Sequence, residues 1–150
     1  MTRFIGLIPL VLIFTSIAVS QPPKRPLPTV NDGTNTIKSS AAYAEVLFRK
    51  TELEAEIESL LMEFTEDYPK VRDVRIELDV LKSESARLLT VKPGDSAKLT
   101  LALGKLILGK VSHAAALKRL QTQYQDGHPS VKKEKRMVEI FEAAIKEILE

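Results

Sequence analysis

The segment from Gly104 to Lys110, with the sequence GKLILGK, has the glycine-to-lysine spacing of a phosphate-binding loop. Such a loop needs serine or threonine directly after the lysine, because that hydroxyl binds the magnesium ion of the nucleotide. This chain has Val111 at that position, and the interior of the segment falls on an apolar stripe. We therefore expect no nucleotide site here.

Other side chains that could do chemistry are few and scattered. The chain has no cysteine, which excludes thiolate chemistry, and it has only two histidines, His113 and His128. Ser112 directly precedes His113, so on a helix the two point to different sides and form no catalytic pair. The glutamates follow a helix surface instead of converging in a pocket. We expect neither an enzyme nor a bound metal or cofactor.

Positive charge clusters after Pro69 and Pro129, where we expect two helices to begin. Cations are slightly unfavourable at a helix N-terminus, so their presence after both prolines is unusual. We interpret these residues as candidate tips for binding an anion or a partner: Lys70, Arg72, Arg75, Lys132, Lys133, Lys135 and Arg136. In the alternative interpretation this charge is neutralised in solvated ion pairs by Glu63, Glu66, Asp67 and Asp126.

An internal repeat predicts the elements that position these charges. A shift of 60 residues, the separation of Pro69 and Pro129, also aligns Phe64 with Tyr124 and Val71 with Val131. Within each copy, apolar residues recur at steps of three and four, which is the coiled-coil spacing. Proline is tolerated at the first position of a helix but not inside one. Each copy is therefore predicted to be a helix, a tight turn and an antiparallel helix.

The predicted fold class is all-α, with two tandem antiparallel helical hairpins at residues 39–90 and 97–150 and a linker at residues 91–96. Asp95 or Ser96 is expected to cap the helix that follows the linker. The expected helices are 39–66, 70–90, 97–125 and 130–149. The hairpins can stay extended, or they can close into an up-down four-helix bundle with both proline turns at the same end.

The third expected helix is the weakest by intrinsic propensity. It contains Gly104 and Gly109, and a glycine inside a helix costs about 1 kcal/mol relative to alanine.

The second turn carries a leucine, then a tyrosine, then a His-Pro-x-Val motif, at Leu120, Tyr124, His128, Pro129 and Val131. The first turn carries Leu60, Pro69 and Val71, with Phe64 and Tyr68 in place of the tyrosine and the histidine. This pattern resembles the extracytoplasmic coiled-coil segment of bacterial polysaccharide chain-length determinant and exopolysaccharide-transport proteins. The resemblance implies a helical hairpin and a role in the cell envelope linked to polysaccharide export.

Residues 1–20 predict a secretory signal peptide, because Arg3 is followed by an apolar stretch and by small residues before Gln21. We expect cleavage near Ser20 and a periplasmic or secreted protein. The alternative is an uncleaved membrane anchor, for which the apolar stretch is short. Residues 21–38 contain four prolines and are predicted to be a flexible linker.

Removal of Arg3 with the signal leaves 22 − 1 = 21 basic residues against 20 acidic ones, so the net charge does not favour nucleic acid as a partner. We expect an exported, non-enzymatic interaction or scaffold protein of the bacterial cell envelope. Its partner would be another protein or a second copy, bound through the helical seams. The alternatives are a periplasmic chaperone for apolar clients and a module whose basic tips bind acidic polysaccharide or lipid headgroups.

Overall fold

The apolar periodicity of the chain produces helices, and the described part of the chain contains no strand. The computed structural model describes residues 32–150. Its elements are α1 (Asp32–Lys38), α2 (Ala41–Leu61), α3 (Pro69–Leu88), a 3₁₀ helix (Pro93–Lys98), α4 (Leu101–Gln121) and α5 (Pro129–Leu149). The helices pair as α2 with α3 and α4 with α5. The all-helical prediction is therefore confirmed, and the helices pair as hairpins.

Hydroxyl side chains begin both long helices that do not start at a proline. The Ser40 hydroxyl accepts a hydrogen bond from the Tyr43 backbone N–H at 3.2 Å, and Thr100 does the same for Leu103 at 3.3 Å. Each cap satisfies one of the backbone donors that a helix leaves free at its start. The prediction that Asp95 or Ser96 caps this helix is wrong. Both lie in the 3₁₀ helix, which delays the start of α4 to Leu101.

The predicted flexible linker is wrong over its last seven residues. Asp32–Lys38 form α1, and Ile37 is only 2% exposed because it joins the apolar core. Burial of Ile37 in the core therefore stabilises a helix in a segment whose composition is polar. The rest of that linker and the predicted signal peptide lie outside the described residues.

The helices before the two prolines end earlier than predicted, at Leu61 and Gln121 instead of at residues 66 and 125. Residues 62–68, hereafter turn 1, and residues 122–128, turn 2, reverse the chain. The residue before each proline is extended, with ψ of 131° at Tyr68 and 137° at His128. Proline excludes the helical conformation from the residue that precedes it, so the reversal needs a longer loop.

The apolar stripes of three helices meet in one core, and the two hairpins pack together instead of staying extended. Helix α4 packs against α2, α3 and α5, whereas α5 packs mainly on α4. The stripes on α2, α3 and α4 supply Val46, Leu53, Ile57, Val74, Leu78, Leu81, Leu103, Ile107 and Val111. The fully buried leucines among them each contribute about 1.5 to 3 kcal/mol relative to an exposed side chain.

The two glycines of α4 allow its neighbours to approach closely. A Cβ atom at Gly104 would lie 3.1 Å from the Cα atom of Ala42 in α2, and a Cβ atom at Gly109 would overlap the Phe141 ring in α5. The intrinsic cost of glycine in this helix is therefore offset by close packing on two sides. From the propensity alone, only the cost was evident.

Replacing either glycine of α4 by alanine should destabilise the protein, although the same change in an ordinary helix is stabilising. We expect Gly104→Ala and Gly109→Ala each to lower the free energy of unfolding by about 1 to 3 kcal/mol, as overpacking does in other cores. Urea unfolding followed by circular dichroism measures this change. Gly127→Ala in turn 2 is the control, because no atom lies within 4 Å of a Cβ atom built there. An unchanged or raised stability of Gly104→Ala would contradict the close approach of α2 and α4.

Candidate functional site

The two proline turns share a stacked pair of rings and lie at the same end of the bundle, here called the turn end. The Phe64 and Tyr68 rings stack with centroids 4.1 Å apart, and so do the Tyr124 and His128 rings. The N-terminus of α3 and the C-terminus of α4 line one groove, which places turns 1 and 2 side by side. The stacked rings stay partly exposed, so they contribute aromatic surface to this end.

The prolines and valines of the turn motif hold the turns in place. Pro69 and Pro129 are the first residues of α3 and α5, where a missing backbone N–H costs nothing. Val71 and Val131 are 0% and 1% exposed, so each turn is anchored by one buried side chain directly after its proline.

His128 and Tyr68 occupy equivalent positions but differ in one contact. The Nδ1 atom of His128 accepts a hydrogen bond from the Ser130 backbone N–H at 3.2 Å, so its ring both caps α5 and stacks on Tyr124. Tyr68 stacks on Phe64 but makes no side-chain cap for α3. Helix α3 therefore starts with its first backbone donors uncapped by a side chain.

Exchanging these two residues should move the cap from one helix to the other. We expect His128→Tyr to lower the free energy of unfolding by about 1 kcal/mol, because stacking is retained and the cap is lost. Tyr68→His should raise it by up to about 1 kcal/mol for the converse reason. Thermal unfolding of both variants and of the double exchange measures the two effects. Equal stability of His128→Tyr and the unchanged protein would show that the cap contributes nothing.

Three of the seven predicted basic residues are neutralised by carboxylates. Lys70 Nζ lies 2.9 Å from Glu56, Arg75 donates to both carboxylate oxygens of Glu66, and Arg136 pairs with the carboxylate one helical turn later. Hydrogen bonds from Arg75, followed by its charge, lower the pKa of Glu66 below its ordinary value. The predicted neutralisation by acidic residues thus occurs through Glu66 at turn 1.

The other four predicted basic residues have no carboxylate within ion-pair distance in residues 32–150. They are Arg72, Lys132, Lys133 and Lys135, and all four are exposed. Of the other acidic residues expected to neutralise the turns, Asp126 accepts a hydrogen bond from Gln121 instead. Unpaired positive charge therefore concentrates on the first two turns of α5.

A groove of about 280 Å³ separates the start of α3 from the end of α4. Its walls carry two arginines, Arg72 from α3 and Arg119 from α4, together with the carboxylate of Asp73. Its remaining lining residues are Pro69, Ile76, Thr122 and Gln123. Arg119 was not among the residues singled out from the sequence, because it does not follow a proline. The only sequence signal for it is its place in the last turn of α4, where cations are favourable.

Away from the turn end, Lys110 forms a half-buried ionic network that joins α3, α4 and α5. The residue is 6% exposed, and its Nζ atom contacts Glu84 at 2.8 Å and also contacts Glu142. Arg87 pairs with the same two carboxylates. Lys110, the last residue of the GKLILGK segment, is therefore paired with two carboxylates. The segment itself is part of a continuous helix.

The network should make stability depend on pH through Glu142. Hydrogen bonds from Arg87 and then Lys110 lower the pKa of Glu142 from its ordinary 4.5 to about 2. A carboxylate with a lowered pKa stabilises the folded state fully above pH 4.5, and this contribution is lost as the pH falls to about 2. Glu142→Gln should therefore be less stable at pH 7 and show a flatter stability profile between pH 4.5 and 2. Unfolding in urea across this range measures the profile.

Glu147→Gln is the matched control for this experiment, because Glu147 lies on the same helix, is exposed and has no ion pair in the described part of the chain. It should keep the acid dependence of the unchanged protein. If the free energy of unfolding had the same pH dependence in Glu142→Gln and in the unchanged protein, the charge of Glu142 would not contribute to the network.

A second polar contact ties α5 to α4. His113 Nδ1 lies 2.7 Å from Glu134 Oε2, and the His113 ring tilts against Phe141 with centroids 5.4 Å apart. In the first hairpin the aligned residues, Leu53 and Val74, are both buried. The His113 side chain is 30% exposed and the Glu134 side chain is 18% exposed, so the contact is partly buried. The repeat alignment gave no signal for this contact, because both aligned residues are apolar.

Among residues 32–150, no helix combines the length and the hydropathy needed to span a bilayer. Within the same residues, no group of three or more carboxylate or imidazole side chains is arranged to hold a metal ion. Comparison with models of protein families, with curated proteins and with solved structures finds no match to this chain.

Proposed function

We propose that this chain is an exported, non-enzymatic interaction protein of a bacterial cell envelope, and that its turn end binds an acidic polysaccharide. The observation that carries this proposal is the cluster of Lys132, Lys133 and Lys135, which are exposed and have no ion pair within the described residues. An unpaired ammonium group keeps its full charge available to a partner, and neighbouring cations act together on a polyanion.

Partly exposed aromatic rings at the turn end favour a polysaccharide over a bare polyanion. Phe64 and Tyr68 are 39% and 38% exposed, and Tyr124 is 44% exposed. An aromatic ring packs well against the apolar face of a sugar while charged neighbours hold its acidic groups. The resemblance of the turn motif to polysaccharide-transport proteins supports the same assignment. Export rests on the predicted signal at residues 1–20.

The turn end is a better candidate surface than the helical seams. The stripes that would pair with a second copy are buried between the helices of one chain, so pairing through them would require the bundle to open. The alternative of a chaperone for apolar clients would also need an apolar surface, and the two most exposed large apolar residues, Phe48 and Met62, lie on α2 and on turn 1. Neither the pairing of two copies nor chaperone activity therefore has a candidate site as well defined as the turn end.

We also propose that the two hairpins arose by duplication of one hairpin. The starts of α2 and α4 and the starts of α3 and α5 are each 60 residues apart, and both turns stack their rings at the same centroid distance. In this proposal the polar residues specific to the second copy, such as His113 and Glu134, which align with Leu53 and Val74, were acquired later.

The triple variant Lys132→Gln, Lys133→Gln, Lys135→Gln should lose affinity for an acidic polysaccharide such as polygalacturonate. Exposed ion pairs contribute about 0.2 to 1 kcal/mol each, so the loss should be about tenfold for three of them. Binding should weaken as salt increases, because exposed charges are screened. Titration by fluorescence anisotropy or calorimetry at two salt concentrations measures both effects.

The control for net charge is the triple variant Lys82→Gln, Lys92→Gln, Lys105→Gln, whose lysines are also exposed and unpaired within residues 32–150 but lie away from the turn end. It carries the same change in charge and should bind polygalacturonate almost as well as the unchanged protein. Equal losses in the two variants would show attraction by net charge without a site. Unchanged binding by the first variant, or tighter binding to anionic vesicles than to polygalacturonate, would reject the proposal.

A further inference from the structure

We infer that the groove between α3 and α4 is a subsite for one acidic sugar unit. This inference deepens the proposed function, because it names the chemical class of ligand at a position distinct from the lysines of α5. The groove lies between turns 1 and 2 and is lined by residues of both hairpins, so it exists only when the hairpins pack together.

The first element of the subsite is a pair of unengaged guanidinium groups. Arg72 and Arg119 reach the groove from different helices, and neither has a carboxylate within ion-pair distance in the described part of the chain. Their neighbours Lys70 and Arg75 are both paired with glutamates of the preceding segment. A guanidinium presents a planar fork of donors that fits a carboxylate with two parallel hydrogen bonds. Two such forks in one groove favour an anionic ligand.

The second element is the uncapped start of α3, whose proline lines the same groove. Tyr68 gives α3 no side-chain cap, whereas His128 caps α5. The dipole of α3 places positive potential at this end of the groove. The difference between the two turns therefore makes turn 1 the one that is open to an anion.

The third element distinguishes an acidic sugar from a simple anion. Asp73 carries a negative charge on the groove wall, which repels a bare phosphate but can accept hydrogen bonds from sugar hydroxyls. Thr122 and Gln123 add further hydrogen-bonding groups, and Pro69 and Ile76 form an apolar surface suited to the face of a sugar ring. The volume of about 280 Å³ lies at the lower end of the range for small-molecule sites, which suits one sugar unit.

The inference is tested by titrating the full chain with trigalacturonate, with inorganic phosphate and with the neutral galactose trisaccharide as comparison ligands. We expect saturable binding of trigalacturonate, with no comparable binding of the other two. Arg119→Gln should weaken this binding by about tenfold or more, because it removes a charge-assisted pair. Lys118→Gln, an exposed neighbour outside the groove with the same change in charge, should have little effect.

The variant Asp73→Ala separates the sugar site from a simple anion site, because it removes both the charge and the side-chain oxygens that accept hydrogen bonds. Loss of the hydroxyl acceptor should weaken trigalacturonate binding, whereas removal of a repelling charge would strengthen the binding of phosphate. Stronger binding of both ligands by Asp73→Ala, or equal binding by Arg119→Gln and the unchanged protein, would overturn the inference. Circular dichroism of each variant confirms that the bundle is intact.

The design separates failure of the subsite from failure of the proposed function. If the triple lysine variant loses polygalacturonate while Arg119→Gln binds trigalacturonate normally, the polymer binds at α5 and the groove is not a subsite. If trigalacturonate depends on Arg119 while the lysine variant keeps polymer affinity, the groove stands and the lysine cluster fails.

Discussion

The close packing of α4 against the other three long helices is the interaction on which the rest of the structure depends. Helix α4 is the one that contacts both helices of the first hairpin as well as its own partner. Gly104 and Gly109 let α2 and the Phe141 ring of α5 approach its backbone. This packing fixes the two hairpins in one orientation, and that orientation brings turns 1 and 2 together. The groove and the cluster of unpaired charge both follow from it.

The two hairpins are held in different ways although their helices have nearly the same lengths. Helix α3 buries six residues, whereas α5 buries only Val131 and Ile145. Polar contacts compensate along α5, where Glu142 joins the Lys110 network and Glu134 contacts His113. Such contacts contribute less than apolar burial. The lysines proposed to bind polymer therefore lie on the long helix that buries the fewest residues.

Much of the fold could be predicted from the sequence, because its signals are local. The positions of the prolines, the spacing of apolar residues and the valine two residues after each proline are properties of short segments. They were sufficient to predict both turns and all four long helices. The order of α1 was missed because it depends on burial of Ile37 in a core built from distant residues. The role of Gly104 and Gly109 was missed for the same reason, since propensity describes an isolated helix and not the distance to its neighbours.

The candidate site was predictable only in part. The position of the basic clusters could be predicted from the prolines, but which cations are neutralised depends on side chains from other elements, such as Glu56 for Lys70. Arg119 enters the groove only because α4 ends beside the start of α3. A contact between residues far apart in sequence, such as Arg72 and Arg119, has no local signal.

The distance between the two turns in solution tests the packing of α4 against the first hairpin most directly. Because the chain has no cysteine, spin labels attached to Met62→Cys and Gln125→Cys report this distance without interference. Labels on Met62→Cys and Lys92→Cys give the comparison, since a helix of about 20 residues, roughly 30 Å long, separates these sites. Directly packed helices lie about 8 to 10 Å apart, so the packing of α4 against the first hairpin predicts a turn-to-turn distance shorter than the comparison by about 10 Å or more. A turn-to-turn distance equal to or longer than the comparison would contradict it.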